Sequence, residues 1–336
     1  MTTSLSKRNG KPNFSMLLNN IKLVNLYYLT LYAFQNLSAR NFEDVVTQDY
    51  ENLHDLFAAI LIHGITNTVK RGGHRDYVKH EGVFPTASGR VNVAETIKQQ
   101  TLILGKIVCE YEDFEANSLS NQALKSVIMI MIKQGKMKQK NKESLRKLLL
   151  YFSDTKLISP TLVQWNMIKT HRANRTYQLL LGVCKLIIDG LIYLNENGMP
   201  MLRENIEDDK LLATLYEKAI LSYYIKHHLV FRPKTVNMAI HADLRFDISL
   251  NYGQNILLFD TRYLDRVVQP DVLKTFHIKT KNEKQTINAI LLYPKSNNLE
   301  DINGVNVSLK ALDLKEDWAV VRQHLDSCVH ILVPQQ

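Results

Sequence analysis

A chain of 336 residues, 45% hydrophobic and 22% charged, can bury one large core or two modest ones. With 13 glycines and 8 prolines it is neither collagen-like nor low-complexity, and no apolar run nears the roughly 18 to 20 residues of a bilayer span. The 42 basic residues outnumber the 33 acidic ones, for a net charge of +9.

The elements read as follows in chain order. Residues 1–18, which include MTTSLSKRNGKPNF, are basic and polar, lack the apolar stretch of a secretory signal, and are expected to form a flexible arm. Ile21 to Ala33 and Glu51 to Val69 carry apolar residues at spacings of three and four, the period of a helix, and Gly72-Gly73 closes the second with a turn. Tyr77 to Val93 alternates and contains Pro85 and Gly89, so a β-rich excursion is expected there. Helices follow at about Gln122 to Lys133, Lys142 to Phe152 and Thr176 to Leu194. Asn195 to Pro200 is a cluster of helix breakers and the expected domain boundary, dividing 19–197 from 198–336.

Beyond it, Asp208 and Asp209 suit the positive end of a helix running to His227. Leu244, Phe246, Ile248 and Leu250 then alternate with Arg245, Asp247 and Ser249, as in a strand. Asn251 to Gln254 reads as a turn, Ile256 to Phe259 as a more central strand, and Ile287 to Tyr293 as another ending at Pro294. The fold class is mixed α and β (α+β or α/β), a mostly helical N-terminal part followed by a part with a mixed central sheet. Cys109, Cys184 and Cys328 sit in apolar runs and are expected as buried free thiols.

The charge is concentrated. Between Asn121 and Lys185 stand 13 basic and 2 acidic residues, so this block alone exceeds the net charge of the whole chain. Neutralising phosphates releases counterions, so a confined basic block suits a nucleic-acid surface, with Lys133, Lys136, Lys138, Lys140, Arg172 and Arg175 as candidate contacts. The plainer alternative is a solvated helical face with a basic loop.

The acids of the second half make a sharper pattern. If Leu250 pairs with Asn255 across the turn, Asp247 faces Leu258 and becomes a diagonal neighbour of Asp260, about 7 to 8 Å away. Both carboxylates then reach one hard divalent cation, or form a ladder of ion pairs with Arg245 and Arg262. Glu217 lies among Ala213, Ile220, Leu221 and Tyr224 on the expected core-facing stripe of its helix, where it offers a third acid. His227-His228 reads as a helix end rather than a ligand pair, and neither a P-loop nor a GxSxG elbow is present.

Glu217, Asp247 and Asp260-Thr261-Arg262, on helix, strand and strand, resemble the PD-(D/E)xK nuclease pattern. LYEKAILSYYIKHH, LRFDISL, ILLFDTRYL, NLYYLTLYAF, TASGRVNVAETIKQQTLILGKIVCEYEDFEANSLSNQALKSVI, LRKLLLYF and RANRTYQLLLGVCKLII together resemble the McrC family, the nuclease subunit of McrBC-type modification-dependent restriction systems. The resemblance spans about residues 20 to 330. It implies an N-terminal part that contacts an AAA+ GTPase ring of McrB type, with Gly89 and Arg90 at the contact, and a PD-(D/E)xK nuclease-like C-terminal domain that cuts modified double-stranded DNA in phage defence. It further implies Mg²⁺ held by Asp247 and Asp260, Glu217 as the helix acid, and GTP bound by the partner alone; the cytoplasmic location with no membrane is expected from the missing signal and span and the scattered cysteines. Two features depart from the family pattern. Arg262 stands where the family has lysine, and the family's helix with a Gln and Tyr pair is not recognisable between Arg262 and Ile287, although Lys279 or Lys281 could stand in for the lysine. Two readings therefore stand: a metal-dependent endonuclease with a degenerate site, and a silent subunit that binds DNA and stimulates the partner GTPase.

Overall fold

The computed structural model describes residues 21–34, 50–168, 175–241, 244–261, 286–295, 302–303 and 306–333. The expected arm at 1–18, Arg172, Arg262, Lys279, Lys281 and the side chain of Arg245 lie outside the described residues. The chain divides into two compact units: one of residues 1–56, 189–191 and 203–336, the other of 57–188 and 192–202. The expected boundary at Asn197 falls inside the second of these.

The first unit is built on a six-stranded sheet. Its strands are β6 (Lys234–His241), β7 (Leu244–Tyr252), β8 (Asn255–Asp260), β9 (Thr286–Pro294), β10 (Ile302–Asn303) and β11 (Val307–Leu312). They lie in the order β10-β11-β9-β8-β7-β6. β6, β7 and β8 pair antiparallel, whereas β8, β9 and β11 run parallel, so the sheet is mixed as expected. β8 sits between β7 and β9, and all of Leu257 to Asp260 is buried, as befits a strand covered on both faces. The alternation in β7 misled on this point: Asp247 and Ser249, on the polar face, are as buried as Phe246 and Ile248.

The turn between β7 and β8 also differs from expectation. Asn251 and Tyr252 belong to the strand, Tyr252 pairs with Asn255, and only Gly253 and Gln254 turn. Gly253 has a φ of +58°, the left-handed backbone that a two-residue hairpin turn demands of its first central residue. The register moves accordingly: Ser249 faces Leu258, and Ile248 faces Phe259.

Three helices of this unit join the sheet. They are α1 (Leu23–Ala33), α7 (Asp209–His227) and α8 (Trp318–Cys328). α7 starts where Asp208 accepts from the amides of Lys210 (2.9 Å) and Leu211 (3.1 Å), satisfying two of the free donors at its first turn. It is buried on most sides, from Leu212 to Tyr224, and the Tyr224 ring stacks on Phe259 of β8 with centroids 5.1 Å apart. Tyr224 donates to the Leu325 carbonyl of α8 (3.1 Å), and Tyr28 of α1 stacks on Trp318 at 4.6 Å. β6, β11 and α8 were not anticipated from the sequence.

The second unit holds most of α2 (Leu53–Lys70), α4 (Leu119–Gln134), α5 (Gln139–Leu149) and most of α6 (Arg175–Leu191). The β-rich excursion is larger than expected. β1 (Asp76–Phe84) and β2 (Arg90–Val91) both pair with β3 (Ile107–Glu115), with α3 (Val93–Lys98) and a 3-10 turn, Thr101–Leu104, inserted before it. α6 stops at Leu191 rather than Leu194, because Ile192–Leu194 pairs as β4 with β5 (Pro200–Leu202). Asn195 closes that hairpin, its Oδ1 accepting from the amides of Asn197 (3.1 Å) and Met199 (2.9 Å). The breaker cluster is therefore a tight turn. All three cysteines are buried and free.

Candidate metal centre and basic surface

The corrected register rearranges the two acids. Carrying the β7–β8 pairing one step beyond Ile248 and Phe259 puts Asp247 opposite Asp260, not diagonal to it. They are 4% and 6% exposed. Residues directly opposed in an antiparallel pair have Cβ atoms about 4.5 to 5.5 Å apart, the spacing that this continued register would give the two buried acids.

Two neighbours missed by the sequence reading anchor this pair. Thr261 is fully buried, and its amide (3.0 Å) and hydroxyl (2.8 Å) both donate to Asp247 Oδ2. Hydrogen bonds to an ionised carboxylate are stronger than neutral ones, and two on one oxygen fix the carboxylate's orientation. The Tyr293 hydroxyl of β9 lies 3.4 Å from Asp260 Oδ2. The signal for Thr261 was its place directly after Asp260; Tyr293 could be found only through the parallel pairing of β8 with β9. Burial pushes the Tyr216 hydroxyl well above its ordinary pKa, with Cys328 and Asp247 adding to the shift, so it stays protonated on α7.

The donor set suits a hard cation: two buried, oxygen-only ligands that a divalent ion would neutralise. Glu217 is half-buried on α7, but among the described residues no three acid, histidine or cysteine side chains gather as a metal cluster. His227 and His228 end α7 as expected: the Tyr32 hydroxyl is 2.8 Å from His227 Nε2, and His228 Nε2 is 2.7 Å from Asp326 Oδ1.

In the second unit, Lys133, Lys136, Lys138, Lys140 and Arg175 are all exposed. Arg90 is exposed on β2, opposite Glu110. Gly89 has a structural task of its own. Its φ is +84°, and a Cβ there would lie 2.4 Å from the Glu110 carbonyl oxygen, so only glycine lets β2 reach β3. Nearby, Ile97, Leu102, Ile103 and Leu104 are 63%, 58%, 80% and 73% exposed, an apolar group larger than isolated surface residues make.

The first unit is a mixed α/β fold with two buried aspartates on neighbouring strands of its sheet. The model of the McrBC 5-methylcytosine restriction system component family matches residues 16–202, more than half of the chain, and the chain belongs to that family. The resemblance carried by the sequence fragments is thereby borne out. The chain is 22% identical over 338 aligned residues to the type IV methyl-directed restriction enzyme EcoKMcrBC of Escherichia coli K12, covering 91% of this chain and 96% of that one. Two solved structures are similar. A half-complex of Thermococcus gammatolerans McrB AAA+ hexamers with bound McrC matches at 12% identity and a TM-score of 0.47, over 90% of this chain and 76% of that one. The T. gammatolerans McrBC complex matches at 16% identity and a TM-score of 0.38, over 60% and 58%. Among the described residues no helix is long and apolar enough to cross a membrane.

Proposed function

We propose that this restriction-system component is its nuclease subunit, a PD-(D/E)xK-type endonuclease that cuts modified double-stranded DNA in the cytoplasm alongside an AAA+ GTPase ring. The observation that carries this reading is the opposed pair of buried aspartates, Asp247 and Asp260, with Asp247 oriented by Thr261. Mg²⁺ held by this pair would polarise a scissile phosphate and acidify an attacking water. The chain's own residues do the positioning. Thr261 fixes one carboxylate, Tyr293 borders the other, and the buried strands exclude water from one side of the pair. Glu217 keeps the place of the family's helix acid, outside the metal-holding pair. Arg262 brings a permanent positive charge; its guanidinium cannot act as a base.

The ring partner, of McrB type, rests on membership of the McrBC restriction family. The β1–β3–β2 sheet, with Gly89, Arg90 and the exposed apolar group around Ile103, is the proposed contact. GTP belongs to the partner. A second reading, a silent subunit that stimulates the partner's GTPase, draws support from Arg262 in place of lysine.

Cleavage of methylated and unmodified plasmids with Mg²⁺ or Mn²⁺, partner GTPase and GTP tests both. Cutting that is lost in Asp260→Ala is the result expected. Stimulated GTP hydrolysis without cutting would replace the nuclease reading by the second, and a gain of cutting in Arg262→Lys would locate the silencing.

A further inference from the structure

The structure sorts the cations of the basic block by task. Lys125 is a structural residue: its Nζ donates to the carbonyls of Phe152 (2.7 Å) and Thr155 (2.6 Å). Lys185 stands over the Trp165 ring, 5.1 Å from its centroid. The rest are not spread evenly. Lys136, Lys138, Lys140, Arg146 and Lys147 are exposed on α5 or just before it, and Lys142 is half-buried among them.

The helical period gives this group one side. Leu145 and Leu148 are buried and mark the inward face of α5. At 100° per residue Lys140, Arg146 and Lys147 fall on the outward arc, and Lys142 lies at its edge, about 60° from Leu145. The carboxylate on that arc is Glu143, which accepts from Gln139 Nε2 at 3.1 Å.

Local helix stability accounts for only part of this charge. Arg146 and Lys147 suit the negative end of α5. The other end is positive, and carboxylates belong there. Instead, Lys138 occupies the N-cap without a side-chain cap, no acid is present in the first turn, and Lys136, Lys140 and Lys142 flank it. Cations at that end weaken the helix, so their reason lies outside it.

We propose that α5 and its lead-in from Lys136 form the surface on which this chain holds the phosphate backbone of duplex DNA. The inference rests on the reading that the chain acts on DNA. Eleven residues make a helix about 16 Å long, matching about five phosphates of one strand at about 3.4 Å each. Lysines are point charges on flexible stems, so the contact is with phosphate and independent of sequence.

The test is the affinity of the full chain for an unmodified duplex of about 30 base pairs, without divalent metal, from about 50 to 200 mM salt. Each phosphate contact contributes about 0.9 to the slope of log affinity against log salt. Lys136→Ala/Lys140→Ala/Arg146→Ala/Lys147→Ala should lower that slope by roughly 3 to 4 and weaken binding about 100-fold or more. A control, Lys98→Ala/Lys210→Ala/Lys218→Ala/Lys234→Ala, removes equal charge from exposed positions elsewhere and should change the slope by less than about 1. An unchanged slope in the first variant, or an equal loss in the control, overturns the proposal. Lys→Arg changes at Lys136, Lys140 and Lys147 keep the charge and should keep the slope; loss of binding there also overturns it. A slope that falls as expected in a chain that never cuts leaves this surface standing and removes the nuclease reading. Cutting that depends on Asp260, with an unchanged slope in the α5 variant, does the reverse.

Discussion

Replacing Asp260 by asparagine should stabilise the metal-free protein, the opposite of what most buried substitutions do. Asp247 and Asp260 are 4% and 6% exposed and each lies one residue beyond the last β7–β8 pair, Ile248 with Phe259. Two negative charges about 5 Å apart, at an effective dielectric of about 20, repel by roughly 3 kcal/mol. The two donors of Thr261 on Asp247 and the Tyr293 hydroxyl 3.4 Å from Asp260 lessen this repulsion, so about 3 kcal/mol is the upper bound. Asparagine keeps the shape of Asp260 and removes its charge, so the gain is up to about 3 kcal/mol, or a few degrees in Tm for a chain of this size. Mg²⁺ should reverse the order, because a ligand stabilises the folded state by RT ln(1 + [L]/Kd) and the variant lacks half of the cation's charged ligands. Thermal unfolding in EDTA and again in about 10 mM Mg²⁺, a large excess over a tight site, reads both effects. A variant that melts below the natural protein in EDTA, or that gains as much from Mg²⁺, would refute the reasoning.

Thr261→Val removes the 2.8 Å hydrogen bond to Asp247 and should cost about 1.5 to 3 kcal/mol in urea unfolding. Thr261→Ser keeps the hydroxyl and should keep cleavage, so equal losses of cleavage in both would count against its role. Gly89→Ala forces a Cβ against the Glu110 carbonyl at a φ of +84° and should free the amides of Arg90 and Val91 to exchange faster, by a factor of about 5 to 30, since the left-handed backbone alone costs about 1 to 2 kcal/mol. Unchanged exchange would mean that β2 adjusts. Burial, with Lys226 and Arg322 nearby, lowers the His227 pKa from its ordinary 6.5 to about 4. The unfolded chain then binds a proton between those values and the folded one does not, so stability is lost as pH falls from about 6.5 towards 4 and is unaffected above. His227 is part-exposed at the end of α7, so solvent screening makes the loss small, and His227→Gln should flatten that part of the stability profile. A profile identical to the natural protein's would remove His227 as its source.

The sequence made the helices legible because their periods were long and their ends marked, as Asp208 marks the start of α7. It made the acids legible by alternation alone. Their register was not, because Asn251-Tyr252-Gly253-Gln254 permits a four-residue or a two-residue turn, and the positive φ of Gly253 decides it. β3 escaped notice since EYEDFE looks like a solvated loop; one of its acids, Glu115, pairs across with His80 of β1 at 2.8 Å. Thr261 and Tyr293 are 32 residues apart and meet at the site only through the β8–β9 pairing. A basic block in sequence likewise mixes tasks that burial separates, with Lys125 tying two carbonyls and Lys140 facing solvent.

The same burial bears on whether the site is used. Two carboxylates placed in a core cost several kcal/mol, and apolar side chains of similar size would pack there with less penalty. A subunit that only stimulated a partner's GTPase would gain nothing from Asp247, Asp260 and the hydroxyl of Thr261 held together at the centre of a sheet. A cation site gains all three: the charges to attract the ion, the burial to strengthen each interaction, and the hydroxyl to hold one ligand still. Arg262 bears on the chemistry through its type alone: a guanidinium stays protonated, so it cannot take a proton from water. Arg262→Lys restores a side chain whose pKa burial can lower. If cleavage rises in that variant and its pH optimum moves with it, base chemistry was the missing part; if cleavage rises with no change in the pH profile, the fit of the shorter cation was.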